Sequence, residues 1–411
     1  MKHGWIIKGN FFRLWSSTFL SQFSTVLFFY ALIWWSLTEN GDLLTGSTVI
    51  ALGALCSLIL SPFSGWIADK YHRGKLLAIV DGFLAFVFLM LFFISTYGDT
   101  HEGVLVLVCR LIISAVTGAT DSTARSLLPQ TVNDNNLHRA LGFQESLVQI
   151  SQLISPIIAG FFVFYFGLNG VWILCMLLCF VSAVLECFIT DKEQRNSEME
   201  LTFSSLISGY IRIKNNGPLR LLLYGTSIQQ LLFSGFAIYI AVWSTSALEN
   251  SEWVSGMLQS FWGIGTLIGA LLVVFLLKIS NTKHLCVTIT VFFGIILAPL
   301  GFVGNMILAM TLLLSAGFLS GILNVYLESH LQRQTTTAYR SREISAFFAI
   351  NQALMPFGYV LAGILSELVP VHYLFIVIVL PIPLVAYFVY QSFTEAGHLT
   401  GEKGDLQKMS G

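Results

Sequence analysis
Arg110 stands apart from the other Lys and Arg residues of this chain: it falls inside a long apolar run, whereas the rest lie beside such runs. An ionised guanidinium near the centre of a membrane-spanning helix costs roughly 2.5–3.5 kcal/mol even on lenient scales, so a charge retained there marks a working site. Read as a helix, this run puts Arg110, Ser114, Thr117 and Asp121 on one face. The next run repeats the pattern with Glu145, Gln149, Gln152 and Pro156. Further polar faces carry Ser17, Ser21, Gln22 and Thr25; Thr226, Gln229, Gln230 and Ser234; and Gly317, Gly321, Asn324 and Glu328. Such groups exchange protons, pair ions and hydrogen-bond a guest. They do not assemble a nucleophile with a base, so a membrane enzyme is disfavoured. No G-x-x-x-x-G-K-[ST] sequence offers a nucleotide site. The eight His have no second ligand at metal spacing. The six Cys (Cys56, Cys109, Cys175, Cys179, Cys187, Cys286) include no C-x-x-C pair and read as small apolar residues. No metal and no cofactor are expected.

The elements that must position these groups are helices in a bilayer. Charged residues make up 10% of the 411 and hydrophobic ones 55%, against roughly 25% charged in a soluble domain. Spans of about 20 residues fit twelve times with only short loops left over. The basic residues cluster at Lys2–Arg13, Lys70–Lys75, Arg125–Arg139, Lys192–Arg220, Lys278–Lys283, Arg333–Arg342 and Lys403–Lys408, on alternate connections. Basic loops stay on the cytoplasmic side, so both termini are expected inside. The first span starts at a basic segment and lacks an A-x-A site, so no cleavable signal is expected. The fold class is therefore all-α integral membrane, and nucleic-acid partners are not expected. Trp34, Trp35, Trp172, Trp243 and Trp253, near outer span ends, read mostly as interfacial belts and helix packing.

The two halves repeat at an offset of about 200 to 210 residues. Arg13 aligns with Arg220, Gln22 with Gln229, Gly46 with Gly256, Gln152 with Gln352 and Pro156 with Pro356. Each half has an even number of spans, which makes the repeats parallel. The expected organisation is an N-terminal six-helix bundle at 1–189, a cytoplasmic linker at 190–217, a C-terminal six-helix bundle at 218–392 and a cytoplasmic tail at 393–411. Twelve transmembrane helices in two such bundles would enclose a central cavity. Gln22, Thr25, Ser114, Thr117, Gln149, Gln152, Gln229, Gln230, Asn324 and Gln352 are the candidates to line it.

The segment GWIADKYHRGK, Gly65 to Lys75, resembles the loop signature of the major facilitator superfamily, Gly-x-x-x-Asp-Arg-x-Gly-Arg-Lys. Gly65, Asp69, Lys70 in place of Arg, and Arg73 fall in register; His72 replaces the second Gly, and Gly74 takes a basic position. The segments from Pro129 to Gly160 and from Ala353 to Val369 are similar to the branch holding macrolide-efflux proteins and siderophore exporters. The resemblance implies a cytoplasmic gate of Gly65, Asp69, Lys70, Arg73, Asp121 and Arg125. It implies a hinge or antiporter-like motif at Ser155, Pro156 and Gly160, mirrored by Pro356, Gly358 and Gly363. It also implies that Arg110 tunes a proton-carrying acid, for which Asp81, Asp121 and Glu145 are candidates. Glu186, Glu328 and Glu343 lie near inner ends and read as solvated or gate-associated.

The function expected is secondary active export of a bulky amphipathic small molecule by proton antiport, from a bacterial plasma membrane. By the same resemblance the unit is a functional monomer whose partners are substrate, protons and lipid. A siderophore or metabolite exporter, and a non-transporting membrane sensor, are the alternatives.

Overall fold
The computed structural model describes residues 9–38, 43–70, 72–97, 105, 107–114, 116–117, 124, 127, 131, 137–189, 203–247, 252–276, 282–335 and 339–409. Among them there is helix and turn but no strand. Backbone groups in hydrocarbon must be satisfied within the segment, which leaves the helix as the local solution for these apolar runs.

The helices are α1 (Asn10–Thr38), α2 (Leu43–Lys70), α3 (Arg73–Tyr97) and α4, seen at 105, 107–114 and 116–117. Leu137–Cys187 is broken at Gly167 into α5 before it and α6 after it. Gly167 has φ 66° and ψ −175°, a conformation open to glycine and strained for other residues, and it makes the turn that the connection at 166–170 predicts. Then follow α7 (Phe203–Asn215), α8 (Gly217–Phe233), α9 (Phe236–Ala247), α10 (Glu252–Leu276) and α11 (Thr282–Leu297). The chain ends with α12 (Met306–Gln334), α13 (Arg340–Leu368), α14 (Leu374–Val379) and α15 (Ile382–Met409). Ten stretches among the described residues are long and apolar enough to cross a membrane. One of these, Ser146–Cys187, contains the break at Gly167 and so holds two helices. The all-α membrane fold class is thus what the chain adopts.

The helices form two compact units: Met1–Met199 with Asn250–Ser260, and Glu200–Glu249 with Phe261–Gly411. In the first, α1 packs along α5–α6, and α3 packs on the same pair. Phe28 of α1 lies edge-on to Phe88 of α3 and Trp172 of α6, at ring-centroid distances of 5.5 and 5.9 Å. Toward the α1 start, Phe11, Leu14, Leu77, Ala124, Leu127, Ala140 and Ile189 form one buried cluster. Arg13 Nη1 donates to the Phe188 carbonyl at 2.6 Å, where a cation suits the exposed carbonyls ending α6.

In the second unit α8 packs against α13 and α15 around Leu219, Leu222, Leu223, Phe347, Val385 and Val389. Starts are capped by sequence: the Asn216 side chain accepts from Leu219 N with Pro218 in the first turn, and Asn305 accepts from Ile307 N and Leu308 N. Ser392 Oγ donates to the Pro218 carbonyl at 2.7 Å, so His330 Nε2, 3.0 Å from that oxygen, is the donor to it. One polar chain thereby ties α12 to α15 and α8.

Helices α10 and α12 approach through glycines on both sides. Gly265 and Gly269 sit against backbone at Leu314 and Phe318, and Gly317 and Gly321 against Trp262 and Thr266. Glycine at every fourth position lets two backbones touch where hydrophobic driving force is lacking. Gly317 and Gly321, which the sequence places on a polar face, therefore serve this contact. Gly321→Leu forces side-chain atoms onto the Thr266 carbonyl, and overpacking of this kind costs about 1–3 kcal/mol. It should lower the apparent melting temperature of the purified protein. Gly82→Ala, where an added Cβ meets nothing within 4 Å, should raise it through helix propensity. Equal melting of the two variants would contradict the packing account.

Candidate functional site
A polar seam runs through the apolar interior of the first unit. Helix α1 brings Ser17, Ser21 and Ser24 to one face, α3 brings Asp81, and α6 brings Cys175, Cys179, Ser182 and Glu186 at helical spacing. Ser21 Oγ donates to Asp81 Oδ1 at 3.1 Å, and Ser182 Oγ donates to the Ser17 carbonyl at 3.0 Å. Cys179 Sγ lies 3.3 Å from Ser24 Oγ. The Ser182 hydroxyl is in range of both carboxyl groups, and Ser17 is in range of Glu186. Asp81 is 0% and Glu186 2% exposed. Asp81 Oδ2 and Glu186 Oε2 accept no hydrogen bond. Two neighbouring buried carboxyl groups, each with an oxygen that accepts no hydrogen bond from the protein, form a place suited to holding a small cation or a proton.

This corrects the expectation for Glu186. It lies near the inner end of its span but faces inward, with Ser182 one turn before it, and is not solvated. Its spacing from Ser182 and Cys179 was the signal, one that matters only once α1 and α3 are seen to supply the partners. Glu343, at 4% exposure, is likewise buried and not solvated.

The second unit contains a cavity of about 340 Å³ between α8, α12 and α13. Three expected cavity residues, Gln229, Gln230 and Asn324, line it together, with Thr226, Glu328 and Asn351. Phe233, Phe347 and Phe348 complete an amphipathic wall. Gln352 is exposed and is not among these lining residues; its neighbour Asn351 takes that place. One residue along a helix turns the side chain by about 100°, which decides which of the two amides faces inward.

Other expected residues fall elsewhere. In the first unit Gln22 and Thr25 are half-buried, and Thr25 Oγ1 donates to the Ser21 carbonyl at 3.0 Å. Gln149 and Gln152 are exposed. Ser114 packs against Gly53 of α2, and Thr117 Oγ1 donates to the Ser114 carbonyl. Gly65, Asp69 and Lys70 belong to the helical backbone of α2, and Arg73 opens α3 half-buried. Asp121 and Arg125 lie outside the described residues, as does the side chain of Glu145. Ser155, Pro156 and Gly160 are buried on α5. There Gly160 meets the Glu252 carbonyl, Gly256 meets the Pro156 carbonyl, and Ser260 Oγ donates to the Leu153 carbonyl at 2.8 Å. The motif is thus a close helix contact inside the first unit. Its counterparts Pro356, Gly358 and Gly363 are buried on α13, where Gly358 meets Leu231 and Ser234 at the end of α8.

Arg110 is 1% exposed, with its guanidinium carbon 3.5 Å from the Trp35 ring centroid and 5.3 Å from that of Trp172. These two Trp, with Trp34 and Trp243, are buried. Of the two roles expected for them, belt and helix packing, these four take the packing role, and two of them hold the cation. A desolvated cation–π contact is worth about 2 kcal/mol, and a planar guanidinium stacks where an ammonium does not. Arg110→Ala should drop the apparent melting temperature by several degrees, and Arg110→Lys should recover less than half of the loss. A Lys variant as stable as the parent would refute the stacking role.

Comparison with known proteins follows the geometry. The sequence profile of the Major Facilitator Superfamily matches residues 14–336. Macrolide efflux protein A of Streptococcus pyogenes is 21% identical over 391 residues, covering 91% of this chain and 93% of that protein. The Staphyloferrin A transporter of Staphylococcus aureus is 21% identical over 315 residues, covering 75% and 78%. The crystal structure of the nucleoside transporter NupG superposes with a TM-score of 0.71 at 13% identity, covering 94% of this chain and 99% of that one, a likeness of fold. With apolar helices of crossing length and a family match over most of its length, the chain is a multi-pass membrane protein that belongs to the major facilitator superfamily.

Proposed function
We propose that this protein is a secondary active exporter of bulky amphipathic molecules, driven by proton antiport and working by rocker-switch alternating access of its two halves. The observation that carries the reading is the buried pair Asp81 and Glu186, sealed by serine hydroxyls and each with an unbonded carboxyl oxygen. A passive pore or a sensor has no need to keep two acids in an apolar interior, where each ion costs several kcal/mol. A carrier that takes up and releases a driving ion does. A proton on the pair removes charge where charge is least tolerated, and its departure changes what Ser17, Ser21 and Ser182 must satisfy. Since those hydroxyls sit on α1 and α6, the protonation state is linked to how these helices pack. Asp81 is thus the coupling acid we favour among the expected candidates, with Glu186 beside it and Arg110 as a positioning residue on Trp35 and Trp172.

The energy scale suits this. One proton moving down about 150 mV supplies about 3.5 kcal/mol, enough for a few-hundredfold substrate gradient. The export direction is supported by relatives bearing efflux in their names, Macrolide efflux protein A among them. The amphipathic cavity of the second unit supports a guest with both apolar surface and polar groups. The plasma membrane of a bacterium, cytoplasmic termini, a gate at Asp69 and Arg73, and a functional monomer complete the proposal. Siderophore export is the second reading, favoured by the likeness to the Staphyloferrin A transporter.

In an efflux-deficient bacterium expressing the chain, retention of a macrolide, a cationic dye and an iron-free siderophore should be measured with and without a protonophore. Lowered retention of one of them, reversed by the protonophore, is the expected result; no change with protein present in the membrane rejects it. Asp81→Asn and Glu186→Gln should each cut protonophore-sensitive efflux about tenfold or more while membrane levels stay normal. Efflux at parental rate in both variants would remove the pair from coupling.

A further inference from the structure
The cavity of the second unit has a definite electrical character. Among its described lining residues Glu328 is a carboxylate, and no Lys, Arg or His stands with it. Glu328 is exposed, and Gln332 Nε2 lies 3.5 Å from its Oε1, at the limit of hydrogen bonding. Phe233, Phe347 and Phe348 add ring surface, whose faces are electron-rich. Carboxylate and aromatic rings both favour positive charge on a guest. A carboxylate-bearing guest would set like charge against Glu328 in a partly desolvated space, which repels it strongly.

We propose that this cavity selects amphipathic cations, with Glu328 as the counter-charge to the guest and the Phe rings packing its apolar body. The proposal rests on the exporter reading and narrows its substrate class to lipophilic amines and permanent organic cations. Polycarboxylate guests are disfavoured on the same ground.

The test uses three probes in efflux-deficient cells: tetraphenylphosphonium as cation, Nile red as neutral amphiphile and carboxyfluorescein as anion. It compares the full chain with Glu328→Gln and Glu328→Asp at matched membrane levels, and adds equilibrium binding of tetraphenylphosphonium to the purified proteins. The parent should export the cation in preference to the anion. Glu328→Gln should weaken tetraphenylphosphonium binding about tenfold, equivalent to about 1.4 kcal/mol, and Glu328→Asp should retain most of it. Nile red handling should be the same in parent and variants. Unchanged cation binding in Glu328→Gln overturns the proposal, as does preferred export of carboxyfluorescein or an equal loss for cation and neutral dye; each of these leaves the exporter reading standing. Absence of tetraphenylphosphonium export by the parent overturns this inference, while the exporter reading falls only if the macrolide and the iron-free siderophore are retained as well.

Discussion
Hydrocarbon offers no hydrogen bonds, so each polar atom that this chain carries into the membrane must be answered by the chain itself. That constraint explains more of the structure than any other. Serine and threonine hydroxyls turn back to carbonyls of the preceding turn, as Ser36 does to Ile33 and Thr290 to Cys286. Where a hydroxyl reaches another helix it becomes a tie between elements, as Ser182 to Ser17 and Ser392 to Pro218. Where a polar group has no such answer, the site is one that a ligand, an ion or a proton can complete.

Two of the unanswered atoms in the first unit belong to acids, Asp81 Oδ2 and Glu186 Oε2, within a shell of serines and cysteines. In the second unit the exposed carboxylate of Glu328 lines a cavity large enough for part of an organic guest. The two units thus differ in polar chemistry while sharing features of helix packing. Both halves carry a proline inside a long helix, Pro156 and Pro356, and both use glycine to bring a neighbour close to that helix, at Gly160 and Gly358. Arg13 and Arg220 each donate to a carbonyl at the end of another helix, of Phe188 and of Lys214.

Arg110 shows the same constraint met by aromatic rings. A guanidinium is weakly hydrated and planar, so it can trade solvent for the faces of Trp35 and Trp172 at a cost an ammonium could not bear. The two rings come from α1 and α6, the same helices that frame the acid pair. Those helices therefore frame both Arg110, which α4 carries, and the acids, Asp81 on α3 and Glu186 on α6.

The sequence by itself determined what depends on short range and on the solvent. Apolar length and helical period made the elements, since a span is set by bilayer thickness. The connection at 166–170 between two apolar runs marked the turn at Gly167. The loop motif and the apolar runs together pointed to the family that the profile match bears out. The stripe logic also put Gln229, Gln230 and Asn324 on faces that do meet in one cavity. What only the tertiary structure decided was partnership. Glu186 looked like an end residue until α1 and α3 were laid beside it. Asn351 and Gln352 differ by one step of rotation, and only packing chooses the inward one. Gly317 and Gly321 looked like part of a polar face and proved to be the seat of α10. A period says which residues share a face, but the neighbour that face meets is fixed by contacts between segments far apart in the chain.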